Sequence, residues 1–114
     1  MTSRVTENWI TQVRKGVLEL CVLNALRPGT RYGYDIVRSL RPVDGLVVRE
    51  GTVYPILSRL KREGLLRTTI EESSEGPPRK YYALTRAGKA RLGEMNAYWD
   101  RLTDSIETLI SDPE

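Results

Sequence analysis

Apolar positions along the chain repeat first at helical spacing, then at strand spacing, and finally at helical spacing again. The first helix is predicted from about Thr6 to Leu26, because the Arg-Pro-Gly sequence at 27–29 stops a helix. A short second helix fits residues 33–40, and the β-branched run at 46–48 predicts a brief strand. Besides its buried half, the first helix carries a thin apolar stripe that suits a partner surface: Trp9, Ile10, Val13 and Val17.

Residues 51–64 predict a third helix, with Thr52 as its N-cap and Gly64 as its left-handed C-terminal residue. Pro55 then falls in the first turn, where a backbone N–H has no intrahelical acceptor and its loss costs no hydrogen bond. One side of this helix is apolar and carries Val53, Ile56, Leu57 and Leu60. The other side is polar, basic and aromatic and carries Tyr54, Pro55, Ser58, Arg59 and Arg62.

Two segments with strand propensity, residues 65–70 and 79–84, predict a hairpin whose long tip, residues 71–78, is rich in Glu, Ser, Gly and Pro. Thr85 fits the N-cap of a final helix that extends to about Ile110. Apolar residues of that helix, spaced alternately three and four apart, form a heptad seam: Leu92, Met95, Trp99, Leu102, Ile106 and Leu109.

This order of elements predicts a mainly helical α+β fold: a winged helix-turn-helix with a two-stranded wing and a C-terminal dimerisation helix. Residues 1–84 form the predicted DNA-binding domain, including the N-terminal helix, and residues 85–114 form the dimerisation helix of the same compact unit. A length of 114 residues suits one hydrophobic core. The alternative for the heptad seam is packing on the chain's own core, but so long a helix extends beyond a single small domain.

Charge is unevenly distributed along the chain, whose formal net charge is +3. Residues 27–67 carry nine basic and four acidic side chains, whereas residues 68–114 carry six basic and nine acidic ones. The middle of the chain therefore favours polyanion binding. The chain has no histidine, which removes the commonest general base and the commonest metal ligand. We therefore expect a protein that is not an enzyme and that uses no cofactor or metal.

The expected location is the cytoplasm, because the N-terminus lacks a signal-peptide pattern and no apolar run is long enough to span a membrane. Cys21 stands among leucines and valines, which favours a buried structural thiol over a redox sensor. With catalysis, a membrane span and a redox cysteine all disfavoured, the basic third helix is the main candidate for a functional surface.

The basic side of the third helix fits the major groove of DNA, and short side chains such as Thr52 and Ser58 allow a close approach. Alanine at Arg59 or Tyr54 is expected to weaken DNA binding by about 1–3 kcal/mol per subunit with little change in Tm. The alternative is a merely solvated basic face, which the order of the elements makes less favourable. Together with the hairpin base and the start of the second helix, the predicted DNA-binding residues are Tyr32, Gly33, Thr52, Tyr54, Pro55, Ser58, Arg59, Arg62, Arg79 and Lys80.

Motifs spread over residues 16–99 resemble those of the PadR family of bacterial repressors. The sequence YGYDI at 32–36 resembles the second-helix motif of the family, and EGTVYPIL at 50–57 resembles its recognition-helix signature. The sequence RKYYALT at 79–85 resembles the wing and the start of the last helix. The single C-terminal helix is similar to the short PadR subfamily. Pro77 departs from the pattern, because a basic residue is common there, so the resemblance does not imply a wing contact at this position.

The resemblance implies a transcriptional repressor that binds a palindromic operator in double-stranded DNA as a homodimer through its heptad seam. It further implies that a flat lipophilic or aromatic effector stacks at the dimer centre and releases the operator. The implied ligand-binding residues are Trp99, Trp9 and Met95, which would line a pore at the dimer centre. The alternative for Trp99 is a residue that only packs, and Trp9 either lines this pore or plugs it. The alternative function is a winged-helix protein-interaction module that does not bind DNA.

Overall fold

The computed structural model describes residues 3–113. The helices are α1 (Arg4–Ala25), α2 (Gly33–Leu40), α3 (Glu50–Arg62) and α4 (Arg86–Ser111), and the strands are β1 (Arg31–Tyr32), β2 (Leu66–Ser73) and β3 (Gly76–Leu84). The three strands form one antiparallel sheet in the order β1-β3-β2. The mainly helical α+β fold predicted from the sequence, a winged helix-turn-helix followed by one long helix, is thereby confirmed.

The hydrophobic core lies where the second half of α1 meets α2, α3 and the base of the hairpin. Its most deeply buried side chains come from all three helices: Val22, Leu23, Leu26, Ile36, Val37, Val53, Leu57 and Leu60. Burial of one such aliphatic side chain contributes about 1.5–3 kcal/mol. The core therefore fixes the inner side of α3 and leaves the opposite side exposed to solvent.

The helix α3 begins earlier than predicted, because Arg49 and not Thr52 is its N-cap. The Thr52 hydroxyl lies in the first turn and donates a hydrogen bond to the Arg49 carbonyl at 2.8 Å, instead of accepting one from a backbone N–H. Pro55 is therefore the sixth residue of the helix, and it cannot donate to the Gly51 carbonyl. The prediction that Pro55 costs no hydrogen bond was wrong.

The prediction of a brief strand at 46–48 was also wrong, since the structure shows no strand at these residues. Leu46 is buried in the core, and Val47 has a φ of +54°. A β-branched residue is rare in this left-handed region, and the turn it forms prevents the extended backbone that a strand requires. This segment is instead the connection between α2 and α3.

The hairpin tip is much shorter than the predicted loop. Pairing between β2 and β3 continues from Leu66 opposite Leu84 to Ser73 opposite Gly76, with an irregularity between Glu71 and Ser73. Residues 77–78, both prolines, fall at this irregularity, where a missing N–H costs no regular ladder bond. The prolines therefore interrupt the ladder only locally, and both strands extend beyond them.

A third strand was not predicted. In β1, Arg31 pairs with Tyr82 and Tyr32 pairs with Tyr81. Two residues are too few to show the alternation that identifies a strand in a sequence. The pairing attaches the start of α2 directly to the wing.

The helix α4 begins as predicted, with the Thr85 hydroxyl accepting a hydrogen bond from the Gly88 N–H at 3.0 Å. The same hydroxyl donates to the Gly64 carbonyl at 2.7 Å, which joins α4 to the end of α3. Leu92 is the last fully buried residue of α4. The 26 residues of α4 span about 39 Å, so its second half projects from the core, and the molecule is 62 Å long.

Candidate nucleic-acid interface

The most exposed side of α3 is narrower than the sequence predicted. Tyr54 and Arg59, expected to lie on the exposed side, are half-buried at its two edges. Four of the exposed residues of α3 fall within a sector of about 60° opposite the buried side. We call them the outer stripe: Gly51, Pro55, Ser58 and Arg62.

Arg59 is held by two carboxylates. Its guanidinium donates hydrogen bonds to Glu19 of α1 and, at 3.0 Å, to Glu63. These bonds, with that to Glu19 first, raise the pKa of the Arg59 guanidinium above its ordinary value. Its charge is compensated within the chain, so Arg59 joins α3 to α1 in this structure. The predicted contact of Arg59 with a guanine requires this ion pair to open.

Tyr54 packs towards the wing. A Cβ atom at Gly33 would lie 3.0 Å from the Tyr54 ring and 3.2 Å from the Tyr82 ring, so glycine allows both rings to close over the start of α2. Burial, followed by the Glu50 carboxylate, raises the pKa of the Tyr54 hydroxyl. Alanine at Tyr54 would remove part of this packing, which contradicts the expectation of an unchanged Tm. Phenylalanine keeps the ring and changes the hydroxyl alone.

The base of the wing presents a second cationic group. The Arg79 guanidinium carbon lies 4.9 Å from the centroid of the Tyr32 ring, and the ring centroids of Tyr32 and Tyr81 are 5.7 Å apart. Successive side chains of a strand point to opposite faces, so Lys80 lies on the other face of the sheet, on the same side as Tyr82. Arg79 and Lys80 are both exposed, but they do not form one basic patch.

Several predicted residues meet where α2, α3 and the wing come together. Tyr32 is the N-cap of α2, and its side chain makes no capping hydrogen bond to the first turn. Gly33 follows it and is buried beneath the rings of Tyr54 and Tyr82. The structure thus brings together four of the predicted residues, one each from β1, α2, α3 and β3: Tyr32, Gly33, Tyr54 and Arg79.

Sequence reasoning missed other groups near this surface. Arg49 is exposed at the start of α3, and its position just before the helix was the available signal. The Arg41 guanidinium carbon lies 5.6 Å from the centroid of the Tyr34 ring. Arg41 and Tyr34 are seven residues apart, which is about two helical turns. This spacing could have indicated from the sequence that the two side chains lie on the same side of the helix.

A groove of about 540 Å³ runs between α1 and α4. Met95 and Trp99, two of the predicted ligand-binding residues, line it together with Val13 and Val17 of α1. Trp9, the third predicted residue, is not among the lining residues and is exposed on α1. The structure therefore brings two of the three residues to one groove.

The heptad seam divides into two parts. Leu92 is buried and Met95 packs partly buried against the chain's own core, as the alternative interpretation of the seam expected. The second part is exposed in the single chain, by 41% at Trp99, 38% at Leu102, 42% at Ile106 and 76% at Leu109. The projecting half of α4 therefore has an apolar side that the single chain does not cover.

A reciprocal pair of amide hydrogen bonds joins α1 to α4. Asn24 and Asn96 each donate to the other's carbonyl oxygen at 2.9 Å. Both residues line a pocket of about 420 Å³ together with Cys21 and Trp99. Cys21 is half-buried, and burial raises the pKa of its thiol, which disfavours the reactive thiolate. The amide pair fixes α4 on α1 beside Trp99.

Across residues 3–113, no cluster of three or more His, Cys, Asp or Glu side chains is placed to hold a metal ion. None of the helices in the same range combines the length and the apolar character needed to cross a membrane. Exposed residues of α3 include Ser58, Lys61 and Arg62, and also the acidic Glu50.

Comparison with known proteins agrees with this geometry. Residues 22–94 match the model of the Transcriptional regulator PadR-like family. A PadR-like transcription factor from Bacteroides fragilis is 43% identical, with 90% of this chain and 98% of that chain covered and a TM-score of 0.75. A PadR family transcriptional regulator from Eggerthella lenta is 33% identical, with 96% and 95% covered and a TM-score of 0.81. A PadR-like transcriptional regulator from Bacillus cereus is 35% identical, with 90% and 99% covered and a TM-score of 0.80. The chain therefore belongs to the PadR-like family of transcriptional regulators.

Proposed function

We propose that the chain is a homodimeric transcriptional repressor that occupies a palindromic operator and leaves it when a flat aromatic or lipophilic ligand binds. The observation that carries this proposal is the outer stripe of α3, which a rigid core holds in an exposed position beside the base of the wing. Repression follows from occupancy, because a bound dimer covers the promoter.

The outer stripe is suited to the major groove. The small side chains of Gly51 and Ser58 let the α3 backbone approach base edges closely. Arg62 forms none of the salt bridges found among residues 3–113, so its charge is free for a guanine edge or a phosphate. Arg79 and Lys80, in the wing, contact the sugar-phosphate backbone or the minor groove of the DNA. The first turn of α2, after Tyr32 and Gly33, binds a phosphate.

The exposed part of the seam supports the homodimer. Trp99, Leu102, Ile106 and Leu109 form an apolar side on α4, and the exposed Trp9 and Val13 form another on α1. A two-fold axis places the same patch of both copies together, so one patch covers the other. Two recognition helices then face two half-sites of a palindrome.

The substitution Ile106→Glu is expected to convert the dimer into a monomer at micromolar concentration, because it places a carboxylate in the apolar seam. Sedimentation velocity measures the change. Thr108→Glu is the matched control, since Thr108 lies about 140° away from the seam around α4 and should leave the dimer intact. A wild-type chain that sediments as a monomer would refute the dimer, and so would an Ile106→Glu variant that sediments as wild type does.

Trp99 provides the test of ligand release. A planar aromatic cation such as 9-aminoacridine is expected to quench the Trp99 fluorescence in the absence of DNA, because it stacks in the groove between α1 and α4. It should also lower the DNA affinity of the wild type more than that of Trp99→Phe, since intercalation into the DNA itself affects both equally. Trp9→Phe should keep most of the quenching, since Trp9 does not line the groove. Trp99→Phe should abolish it. Equal quenching in both variants would exclude the groove as the ligand site.

DNA binding itself is tested by fluorescence anisotropy with the DNA upstream of the chain's own gene and with a scrambled duplex. The proposal expects tighter binding to the upstream DNA and a steep loss of affinity as salt rises from 50 to 200 mM, on the order of 10³-fold for six phosphate contacts. No binding to either duplex at low salt would refute the repressor and favour the protein-interaction module.

A further inference from the structure

A basic cleft lies between α1 and the start of α3, outside the outer stripe and the wing. It has a volume of about 330 Å³. Arg14 and Lys15 of α1 line one side, and Arg49 and Thr52 line the other. Its apolar floor includes Leu18, which is buried. None of its lining residues is acidic, so the cleft carries three positive charges.

These three charges are not compensated by ion pairs. The salt bridges among residues 3–113 involve Arg38 and Arg59 only, so Arg14, Lys15 and Arg49 take part in none. Arg59 lies further along α3 and is bound by Glu19 of the same helix α1. Where α1 meets Arg59, it therefore supplies a carboxylate. Where α1 meets the start of α3, its charged side chains in the cleft are all cationic.

The cleft continues the proposed DNA surface. Arg14 and Lys15 of α1 share the cleft with Arg49 and Thr52 at the start of α3, and further along both helices Glu19 contacts Arg59, so α1 and α3 run in the same direction. The cleft is consequently at the N-terminal end of α3, and this is the end of a recognition helix whose residues contact base edges. A DNA strand that borders the groove there passes close to the cleft.

We propose that Arg14, Lys15 and Arg49 together bind a backbone phosphate of the DNA, at the edge of the major groove that α3 enters. The Thr52 hydroxyl lies in the same wall, at the border with the recognition surface. This inference rests on the proposed DNA-binding function. It makes α1 a third DNA-contacting helix, after α3 and the start of α2, in addition to its contact with α4. A phosphate contact adds affinity for any sequence and does not discriminate between bases.

The test compares two double variants with the wild type. Arg14→Gln with Lys15→Gln removes two charges from the cleft. The control, Arg86→Gln with Lys89→Gln, removes two exposed charges from the first turn of α4, which is attached to the C-terminal end of α3 through Thr85 and Gly64. Anisotropy is measured over a series of salt concentrations, on the upstream DNA and on a scrambled duplex.

The cleft variant is expected to weaken binding to both duplexes by the same factor. It should reduce the slope of log K against log salt by about 1 for each phosphate that the variant no longer neutralises, whereas the control keeps the wild-type slope. An Arg49→Gln variant should show the same kind of change from the α3 side of the cleft. Thermal unfolding followed by circular dichroism establishes that each variant is folded.

The outcomes separate the inference from the function on which it rests. If the wild type binds and the cleft variants keep its salt slope, the phosphate site is refuted and the repressor stands. If the slope of log K against log salt falls equally in the cleft variant and in the control, the effect is due to net charge, and the phosphate site is again refuted. If the wild type binds neither duplex, both proposals fail.

Discussion

Replacing Gly88 by alanine is expected to lower the free energy of unfolding by about 3 kcal/mol, at the upper end of the usual range for overpacking. The new Cβ would overlap the Leu65 carbonyl oxygen and lie 3.3 Å from the Leu84 side chain. A carbonyl cannot rotate away as a flexible side chain can, and the Leu65 oxygen also accepts the Thr85 N–H at 3.0 Å. The start of α4 must therefore move away from the end of α3.

Gly93 of the same helix provides the matched control. A Cβ there meets nothing within 4 Å, so Gly93→Ala should stabilise the protein by about 0.5–1 kcal/mol through helix propensity alone. Urea unfolding followed by circular dichroism gives both changes. Shifts of the same sign and size in the two variants would contradict the close contact at Gly88.

Replacing Arg62 by alanine is expected to weaken operator binding by about 1–3 kcal/mol per subunit. Because both subunits of a dimer lose this binding free energy, the affinity for the operator should fall by about 30-fold or more. Arg62 is exposed in the outer stripe and forms no ion pair among residues 3–113, so its loss should change Tm little. Anisotropy titration on the upstream DNA measures the effect.

Arg59→Ala is the charge-matched comparison for Arg62. The Arg59 guanidinium is bound to Glu19 and Glu63, so its removal should cost less binding than removal of Arg62. It should also lower stability slightly, because α1 and α3 lose their ion pair; exposed pairs of this kind contribute about 0–1 kcal/mol. If the two variants lose the same affinity, the ion pair opens on DNA and Arg59 is a direct contact.

Local signals predicted much of the fold. The limits of α2 and the capping of α4 by Thr85 followed from residues near each helix end. The buried side of α3 followed from the helical period: of its four predicted residues, Val53, Leu57 and Leu60 are buried and Ile56 is half-buried. Such features depend on neighbours within a few residues, which a sequence displays directly.

What the sequence missed depends on contacts between distant residues. The ion pair of Glu19 with Arg59 joins positions 40 apart, and the amide pair of Asn24 with Asn96 joins positions 72 apart. The strand β1 forms only because β3 is beside it. The helical period alone predicted Arg59 among the exposed residues of α3, because it does not show that Glu19 of α1 lies beside Arg59 in the fold.

The arrangement of two recognition helices on one operator is tested most directly by hydroxyl-radical footprinting of the DNA upstream of the chain's own gene. The proposed dimer predicts two protected patches related by a two-fold axis, with centres about one helical turn of DNA, or a multiple of it, apart. Arg62→Ala should remove both patches together. A single asymmetric patch, or no protection at low salt, would contradict a dimeric repressor that reads a palindrome.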